Sequence, residues 1–335
     1  MPLFTLVLAA TLSAWLVNAL RPLLQRYAMV PPNIRSSHTT PTPQGAGFVV
    51  IAATITAAAI AIVLYGNLQV SAVINVFIAT IFIAIVGAVD DLKPIPVLPR
   101  LIAHAIAVSG VLLSLPSELQ IFPHLPLWIE RGLLLIAGIW FVNLVNFMDG
   151  LDWMTVAEAI PIAATLSTFG MAGHLPPVPT LTTAALAGAM VGFAPFNRPV
   201  AKIFLGDVGS LPIGLLLAWA LLELAAQGHV VAAVLLPLYY LADATVTLVR
   251  RALNRERIWI AHRTHYYQRA TDNGLAVIQV ITSVFFLNLA LAALAIATIV
   301  WTWLLAQLAL LALGSAAVAV VLMRFGRSPR ISTRL

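Results

Sequence analysis

Long apolar runs separated by short polar breaks recur from one end of the chain to the other. They lie near residues 2–20, 46–65, 71–89, 100–115, 128–146, 155–171, 180–196, 209–226, 230–249, 275–297 and 300–322. Each is close to the roughly 20 residues that cross about 30 Å of hydrocarbon as a helix. The pattern therefore predicts an all-α polytopic bundle of about 11 transmembrane helices. Pro161, Gly188 and Gly192 interrupt the runs at 155–171 and 180–196, which makes ten the alternative count. The first run has no basic stretch before it and no small-residue cleavage site followed by a soluble domain, so it reads as a retained helix. No soluble domain, internal repeat or low-complexity linker breaks the array. Residues 1–335 form a single membrane domain, with polar loops near 21–45, 90–99, 146–154, 197–208 and 250–274.

Composition agrees with this pattern. Hydrophobic residues make up 61% of the chain and charged residues only 9%, far below the quarter or so that a water-soluble surface needs. The chain has no cysteine, which excludes disulfides and thiolate metal sites. A formal net charge of +6 does not point to nucleic acid, because cationic residues collect in cytoplasmic loops of membrane proteins. With eleven spans and the N-terminus outside, one face receives Arg21, Arg26, Arg35, Lys93, Arg100, Arg198, Lys202, the basic run from Arg250 to Arg269, and Arg324 to Arg334; only Arg131 falls on the other. That segregation places the C-terminus in the cytoplasm.

The acidic and amide residues gather at that same face. Asp90 and Asp91 end one span; Asn143, Asn146, Asp149 and Asp152 end another; Asn197 and Asp207 lie between two more. Charge at a membrane is costly, so clusters repeated at one face predict a shared site. Adjacent carboxylates repel unless a cation or proton lies between them. They could simply end a solvated helix, but magnesium, which takes one or two carboxylates together with substrate phosphates, suits this inventory better than zinc. Asn143, Asn146 and Asp149 recur every third residue and share one side of a helix until Gly150 can end it. Asn143 alone could merely bond a neighbouring helix; the full set suits a polar pocket for a nucleoside or a metal.

The segment from Phe196 to Ser210 is the most specific in the chain. In Gly206-Asp207-Val-Gly209-Ser210, glycines flank an aspartate just before a helix, where backbone can approach an anion and the helix N-terminus offers its N–H groups. Asp207 is either a plain N-cap or a metal ligand, and the neighbouring acids and Asn197 favour the second. The longest polar loop carries His262-Arg263-Thr264-His265, two imidazoles that could contact phosphate oxygens or a metal, among arginines that positive-inside anchoring already explains. His104, His124, His174 and His229 lack such company and read as structural.

With these motifs in order, the chain resembles the polyprenyl-phosphate N-acetylhexosamine-1-phosphate transferases, the glycosyltransferase family 4 enzymes of MraY and WecA type. The resemblance covers nearly the whole length. It rests on His38-Thr-Thr-Pro41-Thr-Pro43-Gln-Gly45-Ala-Gly47, Asp90-Asp91, Asn146-Phe-Met-Asp149-Gly150-Leu-Asp152, Asn197-Arg-Pro199 through Ser210, and the histidine loop. It implies attack by a polyprenyl-phosphate oxygen on the β-phosphorus of a UDP-sugar, giving polyprenyl-diphosphate-sugar and UMP. Magnesium is the implied cofactor, with manganese as a substitute. By this resemblance Asp207 is the metal ligand, and Asp90 and Asp91 serve lipid-phosphate activation and catalysis, with metal ligation a further role for either. Asn197 acts in the active site, Asn146, Asp149 and Asp152 belong to the uridine-pocket motif, and Phe204 lies beside the base. His262, Arg263 and His265 lie near the pyrophosphate. Arg263 and Thr264 depart from the more His-rich form, and Trp153 replaces a glycine that often follows Asp152. The His-Arg-Thr-His-Tyr-Tyr-Gln form is similar to enzymes that start O-antigen chains on 6-deoxy-N-acetylhexosamines.

The implied partners are undecaprenyl phosphate, a UDP-N-acetylhexosamine and membrane lipids, with a homodimer also allowed. The implied location is the bacterial inner membrane, with the site on the cytoplasmic side. Phosphoryl transfer needs charge neutralisation and in-line positioning more than covalent machinery, so this inventory suffices. A transporter or lipid flippase is the competing class. It would place ionisable groups and broken helices near the midplane between repeated halves, whereas here the charged groups lie at one face, with Glu223 and Asp243 the main candidates for deeper burial.

Overall fold

The computed structural model describes residues 1–31, 41–66, 70–115, 120–257, 259–260 and 262–327. Among the described residues, ten helices are long and apolar enough to cross a membrane. They are α1 (Pro2–Tyr27), α2 (Gly47–Tyr65), α3 (Val70–Leu92), α4 (Val97–Ser114), α5 (Leu127–Met148), α6 (Met154–Met171), α7 (Pro177–Asn197), α8 (Asp207–Ala226), α12 (Val277–Val300) and α13 (Leu304–Gly326). The protein is a multi-pass helical membrane protein.

The expected span at 230–249 is not one helix. It is divided into α9 (Val230–Leu235) and α10 (Leu238–Leu253) around Leu236 and Pro237, because proline offers no N–H and crowds the preceding turn. Neither piece meets the span criterion, so ten helices qualify where eleven runs were counted. The histidine loop also contains a short helix that apolar periodicity does not reveal, α11 (Tyr266–Asp272).

The two weakest apolar runs turn out to be the inner helices. The most apolar windows of α6, α7 and α8 are 72%, 78% and 83% buried, against 22% in α1 and α13. An inner helix faces protein rather than lipid, so it can carry prolines, glycines and threonines that a lipid-facing helix cannot. Gly188 and Gly192 do not interrupt α7. They let α1 approach it backbone to backbone, since a Cβ at these positions would come within 2.1 Å of the Leu6 carbonyl oxygen and 2.2 Å of that of Ala10.

At one end of the bundle the chain leaves α1 through β1 (Met29–Val30), which pairs antiparallel with β2 (Thr42–Pro43). The strand continues along the segment before α8: Phe204 N–H donates to Pro43 O at 2.8 Å, and Gly47 N–H to Leu205 O at 2.9 Å. The end of α13 is tied to this same end, since Asn273 Nδ2 donates to Phe325 O at 2.9 Å.

Candidate active site

The ends of α3, α5 and α7 and the start of α8 meet beside this ribbon. Asp91, in the last turn of α3, reaches the first turn of α8, where the backbone N–H of Asp207 donates to its Oδ1 at 2.9 Å and that of Val208 to its Oδ2 at 3.1 Å. Gln44 Nε2 donates to the same Oδ1 at 2.5 Å. The N–H groups at the start of α8, where the glycine-flanked aspartate led to the expectation of an anion, donate to the protein's own Asp91 carboxyl. The approach is tight: Gly206 has φ +79°, a region open chiefly to glycine, and a Cβ there would come within 2.6 Å of Asp91 Oδ2.

Asp90 is held from the other side, accepting from Ile95 N–H at 2.5 Å and from Arg100 Nη1 at 3.0 Å. The Asp90 and Asp207 carboxyls lie near enough to act on each other's charge, and neighbouring carboxyls call for a shared proton or a cation. Asn146 Nδ2 completes the group, donating to Asp207 Oδ1 at 2.8 Å and to Ser210 Oγ at 3.0 Å. Among the described residues no three His, Asp or Glu side chains form a group able to hold a metal by themselves. Two carboxylates with the remaining positions left to water and phosphate is the arrangement magnesium takes, so the donor set fits that ion.

Asp149 caps α5 and accepts from Thr155 Oγ1 at 2.5 Å. It keeps part of its surface accessible. Its surroundings push its carboxyl up to about 7, through burial first and then the nearby Asp91 and Asp152 charges, against the Thr155 bond. Asp152 and Asn197 tie two loops together. Asp152 Oδ2 accepts from Ala201 N–H at 3.0 Å; Asn197 Oδ1 accepts from Trp153 N–H at 2.8 Å while its Nδ2 donates to Ile203 O at 3.1 Å. Trp153 takes φ +62°, the left-handed region rarely adopted by a bulky residue. Its indole N–H compensates by donating to Ala194 O at 2.6 Å. Phe204 pairs through its backbone with Gln44, next to Asp91.

The histidine loop comes to the same end. Tyr267 Oη donates to Phe147 O at 3.0 Å, and the His265 ring stacks 6.4 Å from Phe147 and 4.8 Å from His262. His262 Nδ1 lies 2.9 Å from Thr264 Oγ1. Arg263 pairs with Asp272 at 3.2 Å, within its own loop. Asn143 turns away, 3.0 Å from His104 Nδ1, so both serve the α4–α5 contact. His38 lies outside the described residues. Sequence reasoning missed Gln44, Thr155 and Tyr267 as partners of the site, although Gln44 stands within the Pro43-Gln-Gly45 motif.

Residues 73–225 match the family model described as Glycosyl transferase family 4. That segment, a little under half of the chain, is similar to the family. The matched segment runs from α3 to α8 and includes Asp90, Asp91, Asn146, Asp149, Asp152, Asn197 and Asp207. Among its relatives, a phospho-N-acetylmuramoyl-pentapeptide-transferase of Leuconostoc citreum is 33% identical over 55% of this chain and 62% of its own. A decaprenyl-phosphate N-acetylglucosaminephosphotransferase of Mycobacterium leprae is 29% identical over 58% and 53%. A Bacillus subtilis protein named probable undecaprenyl-phosphate N-acetylglucosaminyl 1-phosphate transferase is 24% identical over 81% and 78%. The chain thus spans less than two thirds of the first two relatives' lengths.

Proposed function

We propose that this protein is a family 4 transferase that moves an N-acetylhexosamine-1-phosphate group from a UDP-sugar to a polyprenyl phosphate, with undecaprenyl phosphate the lipid in a bacterial inner membrane. The observation that carries the reading is that α3, α5 and α8 bring Asp91, Asn146 and Asp207 together at one end of the bundle, with Asp207 N–H donating to Asp91 Oδ1 and Asn146 Nδ2 to Asp207 Oδ1. The three relatives' names support it, since two print a polyprenyl phosphate and all three an N-acetylated sugar.

A lipid-phosphate oxygen forms a bond to the β-phosphorus, the bond from that phosphorus to the α-phosphate oxygen breaks, and UMP leaves with the electron pair. Asp207, with Asp90, is the pair that would hold magnesium, which supplies neutralisation of the diphosphate charge. Asp91 organises rather than reacts, because both its oxygens accept from backbone N–H groups that hold it to the start of α8, whereas one Asp90 oxygen is held only by a side chain, Arg100. Asp90 is then the better placed of the two to orient the lipid phosphate and take a remaining proton, once Arg100 yields to the phosphate. Asp149 and Phe204 border the uridine pocket; Asp152 and Asn197 hold its loops; His262 and His265 face the diphosphate. The product is the lipid-linked first sugar of a cell-envelope polysaccharide, with O-antigen the type we favour. Purified protein incubated with undecaprenyl phosphate, magnesium and a panel of UDP-N-acetylhexosamines should release UMP with at least one donor. Absence of UMP release and of lipid-linked sugar across the panel would refute the assignment.

A further inference from the structure

Asp243 stands outside this machinery, and its surroundings suggest a use. It is 0% exposed in α10, yet it is the hub that holds the histidine loop. Its Oδ1 accepts from Tyr266 N–H at 2.8 Å and from Thr247 Oγ1 at 3.3 Å; its Oδ2 accepts from Tyr267 N–H at 3.1 Å and from Tyr239 Oη at 3.2 Å. His265 Nδ1 lies 3.5 Å from Oδ1. That nitrogen is buried and has no hydrogen-bond partner, and His265 as a whole is only 2% exposed. An ionised carboxylate is acceptor-only. A bare Nδ1 lone pair facing it would be repelled, whereas an Nδ1–H is attracted. The ring also stacks with Tyr267 at 5.9 Å and with Phe147 at 6.4 Å.

We infer that Asp243 is a positioning residue for the transfer reaction. It fixes His265 as the Nδ1–H tautomer, leaving Nε2 to face outward from Asp243, and sets where residues 262–265 stand over the diphosphate. A carboxylate behind an imidazole commonly sets tautomer and ring orientation in this way. The inference rests on the proposed reaction for its purpose, but not for its geometry.

The test therefore has two arms. In the first, full-length protein carrying 15N-labelled histidine is observed in detergent at alkaline pH without substrate, and His265→Gln identifies the His265 signal. We expect the wild-type proton on Nδ1 and a shift towards Nε2–H or mixed tautomers in Asp243→Asn. A wild-type proton on Nε2 overturns the inference whatever the variants do. In the second, UMP release is compared for Asp243→Asn, His265→Gln and the double variant. Loss of a residue that orients a functional imidazole costs about tenfold to a hundredfold, and the double variant should be no worse than the poorer single one. Losses that multiply would mean that Asp243 acts independently of His265, and would also overturn it. If wild type itself releases no UMP, the proposed reaction fails while the tautomer arm still decides the placement.

Discussion

Asp207 and Asp91 show how one residue type takes two roles within a single site. Asp91 accepts two backbone N–H groups and an amide, whereas Asp207 accepts Asn146 and lies near the Asp90 carboxyl and within repulsive range of Asp91. Asp207→Asn keeps an oxygen for Asn146 and removes a like charge from its neighbours. We expect turnover to fall by at least about a hundredfold with thermal stability equal to or above wild type. A marked drop in melting temperature would make Asp207 structural. Asp149 makes a pH-dependent prediction. Its carboxyl is raised from the ordinary 3.8 to about 7, so the folded state favours the protonated form. That contribution is complete below the ordinary value and is lost as pH climbs to the folded one. In metal-free buffer, wild type should lose stability relative to Asp149→Asn across this window and run parallel to it above. A melting-temperature difference that stays constant with pH would contradict this. Sequence reading gave Asp207 the metal and Asp91 the lipid phosphate by resemblance; it could not tell that Asp91 receives the α8 N–H groups, because that depends on how α3 meets α8.

At the scale of helices, the site depends on backbones that touch. A Cβ on Gly87 would lie 2.4 Å from the Asp207 carbonyl oxygen, so α3 sits against α8 only because this position is glycine. Gly87→Ala must push the helices apart, and should cost about 1–3 kcal/mol as well as most of the UMP release, since Asp91 would lose its grip on α8. Gly132→Ala, where a Cβ meets nothing within 4 Å, is the control and should be silent in both assays. If Gly87→Ala behaves like Gly132→Ala, the close packing is not what positions Asp91. Helix positions were largely legible because lipid imposes long apolar runs on every outer helix. The departures have local causes. Pro237 divided a run that apolarity alone joined. The short α11 was hidden because its helix rests on Asp243, a partner more than twenty residues earlier in sequence. Buried Glu158 gave no signal of its partner either, since Asn288 Nδ2, at 2.6 Å from Glu158 Oε2, belongs to a helix far along the chain.

Across the whole molecule, every element of the proposed site lies at the end where α1, α3, α5, α7 and α13 finish and α2 and α8 begin. The opposite end carries the loops around His174 and His229, whose ring nitrogens lie 3.1 Å apart. Basic residues follow the first end almost exclusively, the charge bias expected of a cytoplasmic end, and we propose that orientation. The proposed function demands the same orientation, because a UDP-sugar is too highly charged to cross hydrocarbon and a site facing outward would have no donor. The chain contains no cysteine, so a single introduced thiol reports its own side. Lys202 and Asn254 are exposed at the site end, Ala172 and Gln227 at the other. In intact cells an impermeant maleimide should label Ala172→Cys and Gln227→Cys, and should reach Lys202→Cys and Asn254→Cys only after the membrane is opened. Labelling of Lys202→Cys from outside would invert the bundle and leave the carboxylates of α3 and α8 without access to a nucleotide sugar, removing the transferase reading along with the topology.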